Sequence, residues 1–353
     1  CTGTVPGVVH LRLVSPPRLM YGLALALVPV LAIALMMGPV VIPVSELVNA
    51  IAAALHLTDV GRSAQEGMIL SAIRLPRVML AGLVGVCLAV CGTAMQGLFR
   101  NPLADPSLIG VSAGASAGAS LMIVLGGGVL LQGGQFAGLS AVAAGAFAGG
   151  FLAVLVVYRV ATSDSGTSVV TMLLAGIAIS ALAGALNSLF SFIADDEMLR
   201  RISLWQMGSL DAANWPRVWI AAFVVVLLMY FLPRDSAALN AFLLGESEAR
   251  HLGISVEAVK RRLILLTAVA VGASVAVAGI ISFVGLIVPH IIRLLIGPDH
   301  RYLIPGSAMA GAILLIAADA FSRVLVAPAE LPVGIITAML GTPFFFSLLV
   351  RRG

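Results

Sequence analysis

The sequence predicts an all-α polytopic membrane protein of about ten transmembrane helices, with an inverted internal repeat. Three observations carry that expectation. Apolar residues make up 60% of the 353 positions and charged residues only 10%, whereas soluble domains run near 45–50% and about 25%. Mean hydropathy is +1.11. The apolar residues also gather in long runs, and roughly 20 of them in a helix cross a hydrocarbon core.

The runs fall at 19–42, 78–99, 107–131, 136–158, 168–194, 216–232, 263–282, 284–297, 303–320 and 331–350. The first is too long for the apolar core of a signal peptide and reads as a span. The stretch from Leu263 to Ile296 would reach about 50 Å as one straight helix, beyond the hydrocarbon thickness. Gly279, Gly285 and Pro289 punctuate it, so two spans meeting at a turn are expected, the second short. Residues 1–18 form an N-terminal tail and 19–353 a single transmembrane domain. Connection 43–73 is long enough for a surface helix, and 233–262 carries Glu246, Glu248, Arg250, His251 and Glu257 in a short helical pattern.

The 20 basic residues set an orientation. With the N-terminus cytoplasmic, thirteen fall inside and seven outside, which places both termini in the cytoplasm. The outer seven are Arg62, Arg74, Arg77, Arg200, Arg201, Arg217 and Arg323. A net charge of +4 with no basic block excludes a nucleic-acid partner and leaves membrane lipid as the implied surroundings. Trp205, Trp215 and Trp219 cluster where an interfacial belt would sit.

Gly110, Gly114 and Gly118 recur every fourth residue among alanines and serines, a spacing that lets helix backbones approach closely. Packing within one subunit or between subunits fits equally in kind, the former being the expectation. Segment 92–102 echoes 279–289, and with five spans per half the second copy would be inverted. Cys87 and Cys91 lie on one helix face as packing residues. Asp319 and Arg323 are spaced to pair along a helix. Histidines sit at ends and connections, which speaks against a proton-driven carrier. The chain has no phosphate-binding loop, metalloprotease motif or catalytic triad, so no catalytic or metal-ligating residue is assigned and energy is expected from a partner.

From Ile73 to Pro106 the sequence IRLPRVMLAGLVGVCLAVCGTAMQGLFRNPLADP resembles the iron-siderophore, haem and vitamin B12 permeases of ABC importers (type II importers). The resemblance continues through LLAGIA at 173–178, WQMGSL at 205–210, LGESEARHLG at 244–253, ISFVGLIVPHIIR at 281–293, ADAFSR at 318–323 and ELPVGIITAMLGTPFF at 330–345. It implies a transport subunit rather than an enzyme, in a bacterial inner membrane. The implied partners are a second copy, two ATP-binding subunits that use ATP and Mg, and a periplasmic substrate-binding protein; no covalent cofactor is implied.

The resemblance also assigns residues. Arg74, Arg77 and Arg323 would dock glutamates of the binding protein, against a plainer reading as interfacial anchors. Leu244, Gly245, Glu246, Ala249, Arg250, Leu252 and Gly253 would form the helix that couples to the ATPase. Asn101, Pro102 and Leu103 match one gate loop, and the connection near 162–171 the other. Ser180, Asn187, Ser188 and Ser191 would line the pathway. The implied cargo is a bulky iron chelate, haem first, with a ferric siderophore or cobalamin as the alternative. Arg200 and Arg201 are placed where haem propionates could be met, but the stronger reading is that Asp195, Asp196 and Glu197 neutralise both locally.

Overall fold

A computed structural model describes residues 13–38, 42–45, 47–49, 67–126, 135–164, 166–327 and 329–350. Most of the expected surface helix in 43–73, most of the tail and the last three residues lie outside them. Within them the regular structure is helical apart from one two-stranded hairpin. The helices are α1 (Pro16–Met36), α2 (Leu75–Leu98), α3 (Val111–Gly126), α4 (Gln135–Ala161), α5 (Val169–Ile193), α6 (Asp196–Gln206), α7 (Trp215–Phe231), α8 (Ser236–Phe242), α9 (Glu246–His251), α10 (Val256–Ala278), α11 (Val284–Ile296), α12 (His300–Ser322) and α13 (Val333–Val350). The hairpin joins β1 (Thr162–Ser163) to β2 (Gly166–Thr167), with Thr162 opposite Thr167.

Among the described residues seven apolar helices are long enough to span a membrane, and α3, α11 and the apolar part of α13 are three shorter ones. These account for the ten expected runs. Hydrophobic burial ranks the spans. The apolar windows of α2, α10 and α12 are 78%, 72% and 67% buried, whereas those of α1 and α5 are 6% and 17% buried. The first three are therefore the core, and the last two present apolar surface outward.

Close backbone approach builds that core. A Cβ on Gly85 would strike the carbonyl of Gly311, and one on Gly311 that of Gly85, which places α2 and α12 backbone to backbone. Lower on α2, Gly92 meets the carbonyl of Gly285, so the two segments that echo each other in sequence face one another in space. Gln96 seals the contact by donating from Nε2 to the Leu286 carbonyl at 3.1 Å. The glycine stripe resolves to internal packing: Gly114 and Gly118 of α3 abut Gly149 and Gly145 of α4. Gly110 lies outside the stripe, at the left-handed turn (φ +80°) that ends the 3₁₀ segment Pro106–Ile109.

The bundle has two distinguishable ends. At the Arg323 end lie the last carbonyls of α1, the start of α2, α6, and the loop in which Ser209 N donates to the Ala278 carbonyl. At the Lys260 end lie Val14, whose N donates to Leu295 O, together with α8, α9 and the hairpin. α1 runs toward the Arg323 end and α7 starts from it, so the two sets of five apolar helices have opposite sense. As expected, 263–296 is split. α10 stops at Gly279 (φ +69°), an extended stretch follows, and α11 begins after Phe283 (φ +69°) and runs for 13 residues. α10 also begins seven residues before the apolar run, because its first two turns carry Glu257, Lys260, Arg261 and Arg262.

Candidate functional site: an arginine cluster, a short outward helix and a buried lysine

At the Arg323 end three distant segments converge on Asp319. Arg77 donates from Nε to Asp319 Oδ1 at 2.9 Å and from Nη1 to Glu330 Oε2 at 2.6 Å. Arg323 Nε lies 3.2 Å from Asp319 Oδ2, the pairing its four-residue spacing implies. The other donors go to α1. Arg323 reaches the carbonyls of Met37 and Ala34, each at 3.0 Å, and Arg74 those of Leu35 and Met36 at 2.6 and 2.9 Å. Unpaired carbonyls and the negative dipole end of a helix attract cations, so these two arginines cap α1 from outside it. The three arginines expected to dock a partner are brought together, but they are 5%, 7% and 3% exposed and bonded internally. Asp319 is bracketed by two guanidinium groups and is not placed as a proton carrier.

On α6, Arg201 pairs with Glu197 at 2.5 Å, so one of the two arginines considered for propionates is neutralised locally.

At the Lys260 end, α9 forms a six-residue helix between Gly245 (φ +120°) and Gly253 (φ +80°). Those backbone angles suit glycine and let the chain turn sharply out and back. Ala249 anchors the helix at 0% exposure, whereas Leu244 and Leu252 point outward at 69% and 64%. Arg250 lies 3.9 Å from Glu246 and 3.6 Å from Glu257. Beneath them Lys260, the only lysine in the chain, is 2% exposed. It bonds Thr167 O at 2.8 Å, Glu246 Oε2 at 2.7 Å and Glu257 Oε1 at 3.4 Å. The lone lysine was visible in the sequence; its partners, on α9 and β2, were not.

The turn at Asn101–Leu103 is built by Asn101, whose Oδ1 accepts from Leu103 N at 3.0 Å, and Pro102 stiffens it. Arg100, just before it, adopts φ +49°. On the connection at 162–171, Ser168 caps α5 by accepting from Thr171 N at 3.2 Å. Nearby, burial pushes the Asp299 carboxyl up, but bonds from Asn240 and from the Arg301 backbone outweigh it and hold it below the usual carboxylate range.

Ser180, Asn187, Ser188 and Ser191 share one side of α5, within roughly a third of its circumference. Asn187 is tied to α3, accepting from Ser120 Oγ at 2.7 Å. Ser188 is exposed. Gly184 has open space where a side chain would go. No group of three metal-binding side chains occurs among the described residues.

The FecCD transport family model matches residues 25–351, nearly the whole bundle. The chain belongs to the FecCD transport family. It is a permease of the ABC-importer class, a transport component and not an enzyme, as the motifs from Ile73 onward implied. Among its relatives, the hemin transport system permease protein HmuU of Yersinia pestis is 46% identical over 280 residues, 79% of this chain and 82% of that one. The cobalamin import system permease protein BtuC of Halobacterium salinarum is 43% identical over 285 residues, covering 81% and 74%. A metal-chelate type ABC transporter solved in an inward-facing conformation superposes with a TM-score of 0.80 at 31% identity, over 95% of this chain and 99% of that one. As a FecCD permease the chain is multi-pass.

Proposed function

We propose that this permease works as a pair of identical subunits that carry a bulky metal chelate, haem in the first instance, from periplasm to cytoplasm across a bacterial inner membrane. Two separate ATP-binding subunits, using ATP and Mg, drive it, and a periplasmic binding protein delivers the cargo. The observation that carries this reading is the outward helix α9, with Leu244 and Leu252 exposed on a rigidly anchored turn. A six-residue helix held at both ends by glycine turns offers a partner a firm handle. Leu244, Gly245, Glu246, Ala249, Arg250, Leu252 and Gly253 then form the ATPase contact.

Orientation follows from charge. Arg234, Arg250, Lys260, Arg261, Arg262, Arg293 and Arg301 gather toward the Lys260 end, which favours that end, and both termini, in the cytoplasm. The arginine cluster then faces the periplasm, where Arg74, Arg77 and Arg323 serve the binding protein. Docking glutamates would compete with Glu330 and the α1 carbonyls for these donors. Asn101, Pro102 and Leu103 act as a stiff gate turn. The outward, weakly polar side of α5 supports a path lined by Ser180, Asn187, Ser188 and Ser191, on which an apolar macrocycle slides without a tight site.

Haem is placed before cobalamin because the hemin permease is the more similar of the two relatives. Competition in liposomes holding the assembled complex tests the cargo. ATP-dependent haem uptake that cobalamin and a ferric siderophore fail to suppress is the expected result. Preferential uptake of either competitor overturns the haem reading.

A further inference from the structure

We propose that Lys260 is the link that carries movement of the ATPase-contacting helix α9 to the gate hairpin β1–β2, and through it to α5. The inference rests on the reading of α9 as the ATPase contact.

Three elements meet at one amine. An ammonium has three donors, and Lys260 spends one on α9 (Glu246), one on the hairpin (Thr167 O) and one on its own helix (Glu257). Glu257 returns the grip, its Oε2 accepting from Thr167 N at 2.9 Å. Both backbone groups of Thr167 are therefore held by side chains of α10. Gly166 lies flat on the same carboxylate: a Cβ there would sit 2.8 Å from Glu257 Oε1. The Thr162 and Thr167 hydroxyls, 3.0 Å apart, tie the strands to each other.

The consequence is mechanical. At 2% exposure Lys260 is shielded from water, so its bonds are stronger and stiffer than exposed pairs. β2 passes through the Ser168 cap directly into α5, the lightly buried helix of the proposed pathway. A cavity of about 640 Å³, lined by Tyr158, Thr162, Asp164, Arg250, Glu257 and Arg261, leaves the hairpin room to shift. A displacement of Glu246 thus has a continuous polar route, through the Lys260 and Glu257 side chains on the first two turns of α10, to the first turn of α5.

The test uses the full complex of permease, ATPases and binding protein in liposomes. Lys260→Met is expected to keep binding-protein-stimulated ATP hydrolysis within about twofold of wild type while uptake per ATP falls about tenfold or more. Lys260→Arg, which keeps the positive charge and N–H donors toward Glu246 and the Thr167 carbonyl, is expected to recover part of the loss. Spin labels at Asp164→Cys and Arg234→Cys report the hairpin directly: their separation shifts on ATP binding with Lys260 present and stays put in Lys260→Met. Unchanged uptake per ATP in Lys260→Met, or a hairpin that still shifts, overturns the proposal. Should Lys260→Met fail to assemble, a hairpin that stays still on ATP binding in the labelled chain with Lys260 intact overturns it as well. Disulfide trapping of Leu252→Cys to the ATPase reports the underlying reading separately. No trapping defeats the ATPase contact itself, whereas intact trapping with a normal Lys260→Met defeats only the link.

Discussion

Asp319 and Arg77 are separated by 242 positions in sequence and by 2.9 Å in space. Removing one member of a buried ion pair strands the other charge, a cost of about 3–5 kcal/mol. Arg77→Ala leaves Asp319 with Arg323 at 3.2 Å as its remaining cation, so it is expected to lower the unfolding midpoint in detergent by part of that cost. Asp319→Asn should cost less, because Arg77 keeps Glu330 and Arg323 keeps the α1 carbonyls. Equal melting of Arg77→Ala and wild type would show that the pair carries no stability. The sequence revealed half of this cluster. Asp319 and Arg323 lie four apart on one helix and can be paired by spacing alone. Arg74 and Arg323 cap α1 from other helices, and no local pattern encodes a cap supplied from so far away. The same limit hid Glu246 and Thr167, the partners of Lys260 outside its own helix.

At the scale of elements, apolar runs located the spans because hydrophobic length is set by the bilayer itself. Their ends were less legible. α1 stops at Met36 rather than running to 42, where the two arginines take its last carbonyls. α10 starts at Val256 because charged residues at a membrane boundary still extend a helix that hydropathy cannot see. The dive from Gly279 to Phe283 depends on two left-handed residues whose angles no apolar pattern predicts. Glycines divide by what they face. Gly85 and Gly92 touch backbone of other helices, while a side chain on Gly184 of α5 would meet no other element within 4 Å among the described residues. Gly184→Trp is thus expected to leave the subunit folded, with normal melting, and to weaken association between copies if α5 forms the shared pathway. Size-exclusion with light scattering checks it; an intact dimer together with normal transport would remove α5 from the interface.

At the scale of the whole molecule, function separates along the membrane normal. A buried ionic cluster closes one end, a fixed core of α2, α10 and α12 spans the middle, and a projecting helix on a polar hub occupies the other end. Membership of the FecCD family follows from the entire bundle, whereas in the proposed reading cargo choice would rest on a few side chains of α5 and a second subunit. That is why motifs identified the class of transporter far more readily than its passenger. The division predicts that the conduit does no work unaided. The most direct measurement is haem uptake into liposomes carrying this chain alone, the chain with its ATPases and binding protein, and the same complex with Leu244→Asp and Leu252→Asp. Uptake confined to the complete complex with ATP, and lost in the leucine variant while hydrolysis persists, is the predicted result. Gradient-driven uptake by the chain alone, or full transport with both leucines replaced, would contradict the account.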